Sequence, residues 1–125
     1  MCCFVSVAWS QQPACAAYAP WAQFHKLNMK RWNPCEKVLN VNNVGKLHRK
    51  WSYATGGYAE SSPAVANGVV YVGSADNNVY ALKASTSTKL WSYTTGSHVG
   101  SSPAVANGVV YVGGDDFNVY AFSLK

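Results

Sequence analysis

Short apolar runs separated by polar punctuation fill the chain from residue 63 onward. Residues 63–66 read as a first β-strand, with Pro63 at its start, where a missing N–H does least harm. Asn67-Gly68 reads as a two-residue hairpin turn of type I′, which needs positive φ at both positions. Residues 69–72 form a second strand closed by Gly73, and a polar turn leads to a third strand over 78–82. A looser turn over 84–88 leads to a fourth strand over 89–93. The series then recurs: strands over 103–106, 109–112 and 118–122, with Asn107-Gly108 as the hairpin turn. Val69, Val70, Tyr71 and Val72 put apolar side chains on both faces of the pleat, so such a sheet must be covered on both sides. Similar sheets stacked around an axis meet that demand.

The recurrence is an internal repeat. Trp51 aligns with Trp91, and residues 61–73 are identical without a break to residues 101–113. A period of about 40 residues is that of a propeller blade or a helical repeat array. Gly, Pro, Asn and β-branched residues fall too close together for helices, which decides for the blade. The expected fold is all-β: a partial β-propeller of two four-stranded antiparallel blades, the second lacking its outer strand. Residues 47–53 are expected as an outer strand ahead of the first unit, and the chain stops before the outer strand of the second. One strand is left over at the front and one is missing at the back. Either the chain is a truncated piece of a longer propeller, or copies join head to tail, each lending its front strand to a neighbour. Four copies would make about eight blades, within the usual range.

Composition splits the chain near residue 45. All 10 glycines lie at or beyond Gly45, and all 4 cysteines (Cys2, Cys3, Cys15, Cys35) lie before it, so no disulfide framework holds the repeats. The domains expected are a signal peptide or unstructured leader over 1–20, an extension over 21–46, and two repeats over 47–125 (51–90 and 91–125). Phe4 to Trp9 supplies a short apolar core, with small-residue cleavage patterns after it, giving an expected periplasmic or secreted location. The net charge of +5 is concentrated in Lys26, Lys30, Arg31, Lys37, Lys46, Arg49 and Lys50, and the repeats are close to neutral. No uniform basic surface for nucleic acid is expected, and no apolar run is long enough for an integral membrane segment.

Residues 81–91, ALKASTSTKLW, resemble the tryptophan-docking motif of the PQQ-like (quinoprotein-type) β-propeller repeats, A-x-D-x-x-T-G-x-x-x-W. Ala81, Thr86 and Trp91 match, while Lys83 stands where Asp is usual and Ser87 where Gly is usual. The block SSPAVANGVVYVGS and the segment Trp21–Glu36 are similar to members of the same family, so the resemblance covers residues 21–125. It implies that Trp51 and Trp91 pack between neighbouring blades. The alternative for these rings is a stacking platform for a sugar or base.

Among the remaining candidates, Asp76 and Asp116 hold equivalent turn positions, where Asp either caps backbone N–H groups or binds a cation. Tyr71, Tyr80, Tyr111 and Tyr120 recur with the period and read as blade core. His25, His48 and His98 have no ligand spacing, and Cys35 is a lone thiol. Among the positions that differ between copies, Tyr58/His98, Glu60/Gly100, Ala75/Asp115 and Asn77/Phe117 lie in or beside loops, where binding specificity usually varies. Tyr58, His98, Asp76, Asp115, Asp116 and Phe117 are therefore the candidate loop-binding residues. The expected role is a non-enzymatic binding or assembly scaffold for a protein or carbohydrate ligand, with no cofactor. The alternatives are an inactive truncated propeller, or a fragment of a PQQ-dependent dehydrogenase using PQQ and Ca²⁺. Such an enzyme would need a base Asp, Ca²⁺-ligating Glu or Asn, an Arg and often a vicinal cysteine pair. No Arg follows Arg49, and Cys2-Cys3 lies outside the repeats.

Overall fold

The structure, a computed structural model, describes residues 38–123. The leader over 1–20, the segment from Trp21 to Glu36, and His25 and Cys35 lie outside the described residues. Seven strands follow a short 3-10 turn at Val44–Lys46, and there is no α-helix among the described residues. Strands β1 (Ala64–Ala66), β2 (Val69–Gly73), β3 (Asn78–Lys83) and β4 (Lys89–Thr94) form a four-stranded antiparallel sheet in that order. Strands β5 (Ala104–Ala106), β6 (Val109–Gly113) and β7 (Val119–Ser123) form a three-stranded antiparallel sheet. The fold is thus all-β, a partial propeller.

The turns fix the registers. Asn67 and Gly68 have φ of 50° and 75°, and Asn107 and Gly108 have 50° and 77°, the left-handed pair that joins two right-twisted strands without splaying them. Each turn sets the next register: Val69 faces Ala66, and Val109 faces Ala106. Turn bonds also show which way the strand backbones point. Ser74 N donates to Asn78 O and Ala84 N to Gly68 O, at 3.0 and 2.8 Å. Thr95 N donates to Asn77 O and Lys83 N to Thr88 O, at 2.7 and 2.8 Å. Neighbouring residues of a strand bond to opposite sides, so Val79 and Ala81 of β3 point their backbone groups at β4, opposite Tyr93 and Trp91. A bulge between Ala81 and Leu82 shifts the register to Leu82 opposite Lys89.

The sheets stack face to face. Val79, Val99 and Val112 form the buried cluster between them, with Trp91, Tyr120 and Phe122 packed against it. Burying each such valine is worth about 1.5–3 kcal/mol. Val99, from the loop before β5, presses on Gly73 so closely that a Cβ there would collide with it, and its N–H bonds to Ser74 O at 3.1 Å. Ser62 N also donates across the gap to Ser102 Oγ, at 3.1 Å.

Two sequence expectations change. The strand expected over 47–53 is not one: this stretch pairs with no strand among the described residues. Its side chains nonetheless cover the far face of the first sheet. Tyr53 packs on Tyr80 at 5.7 Å, and Trp51 Nε1 donates to Ala84 O at 2.9 Å. The third strand of the first sheet, buried from Val79 to Leu82, is therefore sheltered on both faces, while β4 stays largely exposed. The second sheet is covered only on the side of the first. Its far face leaves Tyr111 exposed, contrary to the reading of all four tyrosines as core, because no described element lies over it.

Candidate functional site

The repeated turn between the second and third strands of each unit is built as a clasp. Asp76 Oδ1 accepts the Asn78 N–H at 3.0 Å, which tightens the turn itself. Its other oxygen reaches outside the turn, accepting from Tyr80 Oη at 2.5 Å and from Gly56 N at 2.6 Å. Asp116 does the same with Asn118 N (3.1 Å), Tyr120 Oη and Gly96 N (2.7 Å). Each carboxylate thereby ties the loop entering its blade to the third strand of that blade.

The electrostatics follow from these bonds. Burial pushes the Asp76 carboxyl up, but the hydrogen bonds from Tyr80, Asn78 and Gly56 together outweigh it and hold it below its usual value. At Asp116 the Tyr120 bond leads, and the carboxyl is likewise lowered. The Tyr80 phenol is pushed up to about 12, first by burial and then by its bond to Asp76. Between 10.0, the ordinary value, and about 12, the folded chain keeps a proton that the unfolded chain has lost. The clasp's contribution through Tyr80 is thus full below pH 10.0 and fades as pH rises through about 12. An ultraviolet titration of phenolate should show a late phase reaching about pH 12 that Tyr80→Phe diminishes, the raised Tyr71 and Tyr120 accounting for the remainder. A late phase unchanged in that variant would contradict the clasp.

The loops that differ between copies gather beside the clasps. Ala75 N donates to Tyr58 O at 2.8 Å, and Asp115 N to His98 O at 2.9 Å, so the entry loop and the turn of each unit form one rim. Of the expected loop-binding residues, Tyr58, His98, Asp115 and Phe117 line this rim, while the Asp76 and Asp116 carboxylates are engaged within it. Phe117 is fully exposed and has φ of 66°. Its counterpart Asn77 takes 67°, which suits Asn, whereas a bulky aromatic rarely adopts the left-handed region. Nothing in the residue pattern singled out Phe117 as strained, since an Asn-to-Phe exchange in a turn reads only as variation.

At the opposite end of the blade lie the motif residues. Tyr71, Ala81 and Trp91 stand opposite one another across β2, β3 and β4, with Ala81 fully buried. The small Ala81 side chain lets the flanking rings approach to 6.2 Å. Trp91 also meets Phe122 of the second sheet at 5.1 Å, so one indole touches both sheets. Thr86 bonds within its own turn, Oγ1 to Thr88 Oγ1 at 2.9 Å. Ser87, where the motif has Gly, has φ of 63°, the conformation glycine adopts without cost.

Both oxygens of each clasp carboxylate already accept hydrogen bonds, and no three His, Cys, Asp or Glu converge among the described residues. No helix among the described residues is long and apolar enough to cross a membrane.

The family model described as outer membrane protein assembly factor BamB matches residues 19–125. The quinoprotein alcohol dehydrogenase PedE of Pseudomonas putida is 43% identical over 67 residues, covering 50% of this chain and 10% of that protein. A quinoprotein ethanol dehydrogenase of Pseudomonas aeruginosa is 40% identical over 65 residues, covering 49% of this chain and 10% of that protein. The chain thus spans about a tenth of the length of these curated relatives. Among solved structures, the computationally designed Ika4 protein is 20% identical, with a TM-score of 0.46 over 52% of this chain and 41% of that one.

Proposed function

Because this chain belongs to the family of PQQ-like β-propeller repeats described as outer membrane protein assembly factor BamB, we propose that it is a non-enzymatic binding scaffold working outside the cytoplasm. Its blades are the rigid part, and the variable rim is the contact surface for a protein ligand. One observation carries this reading. Phe117 is fully exposed, so it contributes no burial, and it occupies a backbone conformation costly for a bulky ring. A residue kept there against both local preferences is accounted for by contact with something else. His98 and Asp115 flank it with groups that hydrogen-bond peptide. Trp91 acts in this scheme as the wedge that sets the angle between adjacent blades, with Trp51 as its counterpart at the front.

The test uses a photo-reactive amino acid at Phe117, and at exposed Ser85 on the opposite rim, in cells of the source organism. Discrete protein adducts at 117 and none at 85 are expected; equal labelling at both positions would reject the rim. The reading of the chain as part of a PQQ-dependent dehydrogenase rests on its similarity to the quinoprotein alcohol and ethanol dehydrogenases. Purified chain given PQQ, Ca²⁺ and ethanol should show no retained quinone absorbance and no dye reduction. Turnover would replace the scaffold reading with the enzymatic one.

A further inference from the structure

The Asp, Glu, Lys and Arg side chains among the described residues are sorted by sign along the strands. The acids are Glu60, Asp76, Asp115 and Asp116. Asp76, Asp115 and Asp116 stand in the turns of the rim. Glu60 adjoins Ser61, whose Oγ accepts the Gly73 N–H at the rim end of β2, at 2.7 Å. The cations are Lys46, Arg49, Lys50, Lys83 and Lys89. Lys83 closes β3 and Lys89 opens β4, both at the end away from the rim. Their backbones meet there: Leu82 faces Lys89, and Lys83 N donates to Thr88 O at 2.8 Å. Lys50 comes to the same end through the chain, since the next residue, Trp51, bonds to Ala84 O at 2.9 Å. Arg49 adjoins it and is the repeat counterpart of Lys89. Lys46 follows on the same stretch, 44–50, which is exposed throughout.

The two ends are electrically separate. From Asn78 at the rim to Lys83, β3 covers about 17 Å at about 3.3 Å a residue. At physiological salt a charge is felt over about 8 Å, so the rim acids leave the field of the lysine end uncancelled. Two leucines stand among the cations: Leu90, beside Lys89, is 50% exposed, and Leu47, beside Lys46, is 61% exposed. A lysine stem can lie along such an apolar neighbour while its ammonium reaches outward. The indoles are not free for stacking. Trp51 and Trp91 are half-buried, one bonded to Ala84 O and the other packed on Tyr71 and Phe122. Strands of nucleic acid are gripped by cations together with open aromatic rings. Cations with exposed aliphatic side chains suit a lipid surface instead, where phosphates lie above the acyl boundary.

We propose that this end of the blade rests on a bilayer bearing anionic lipid headgroups. Arg49, Lys50, Lys83 and Lys89 face the phosphates, Leu90 dips toward the acyl boundary, and the rim is turned away from the membrane. The number of charges is sufficient, since clusters of about four to eight Lys and Arg draw a protein to an anionic surface. Attachment is peripheral and reversible, because it buries little apolar area.

The experiment is co-sedimentation of the 125-residue chain with phosphatidylcholine vesicles, with and without about a third phosphatidylglycerol. Binding to the anionic vesicles alone, falling as sodium chloride is raised, is expected. Lys83→Gln and Lys89→Gln should each weaken it by about fivefold, and Leu90→Ser should weaken it as well. Glu60→Gln, at the rim, should not weaken it. Lys26, Lys30, Arg31 and Lys37 are common to all variants, so a loss in Lys83→Gln belongs to this end. Arg49→Gln with Lys50→Gln, outside the strands, carries the test if the strand variants do not fold. Absence of binding, equal binding to both vesicles, or undiminished binding in these variants would overturn the proposal. A chain that binds single-stranded DNA more tightly than vesicles, with Leu90→Ser at wild-type affinity, would also overturn it and give the patch to nucleic acid.

Discussion

Gly73→Ala should lower the unfolding free energy by about 1–3 kcal/mol, the cost of forcing an extra methyl into a packed core. The added Cβ would lie 2.5 Å from the Val99 carbonyl oxygen and 2.9 Å from its Cβ, and closer still to Cγ1. A rotamer change could relieve the Cγ1 contact but not the carbonyl, because that atom belongs to backbone anchored by the Val99 N–H bond to Ser74 O. The relief must come from moving the loop before β5 away from the first sheet, which opens the cluster of Val79, Val99 and Val112. The loss should appear in urea unfolding with a lower midpoint. Gly100→Ala is the control. A Cβ there meets nothing within 4 Å, so it should be neutral or add about 0.4–1 kcal/mol through the unfolded chain. Equal losses in the two variants would mean that the contact between the sheets through Gly73 contributes nothing.

The strand series, the two Asn-Gly turns and the stacking of sheets were all legible in the residues, for a common reason. Each depends on a local demand: positive φ at Asn67 and Gly68, a short apolar run along β3, and apolar side chains on both faces of β2. The front segment misled for the converse reason. Residues 47–53 carry the pattern of an outer strand, but a strand is a relation to a partner, and no described strand lies beside it. The clasp was half visible. Asp76 in a turn suggests a cap on Asn78 N, and it makes that bond. The bonds to Tyr80 and to Gly56, which stands 20 residues away, depend on where the entry loop lands, which no local pattern encodes. The rim was marked by difference between copies, whereas the backbone conformation of Phe117 emerges only once Asn77 is seen to adopt the same one.

Asp76→Ala should cost about 1–3 kcal/mol, chiefly from stranding the Tyr80 hydroxyl without an acceptor in a place where that residue is only 8% exposed. It should also free the Gly56 N–H and with it the loop that carries Trp51 and Tyr53 to the first sheet. Asp116→Ala, whose clasp is more exposed, should cost less despite identical bonding. Combining Asp76→Ala with Tyr80→Phe should cost less than the sum of the two, since both remove one interaction. The pH dependence has a fixed direction. The folded carboxyl is lowered from 3.8, so its contribution is complete at pH well above 3.8 and is lost as pH falls through the folded value. Asp76→Asn cannot titrate, and it should flatten the decline in unfolding free energy below pH 3.8 while being weaker than the wild type at neutral pH. If Asp76→Asn and the wild type lost stability in parallel on acidification, the carboxylate would not be the group that ties the entry loop to β3.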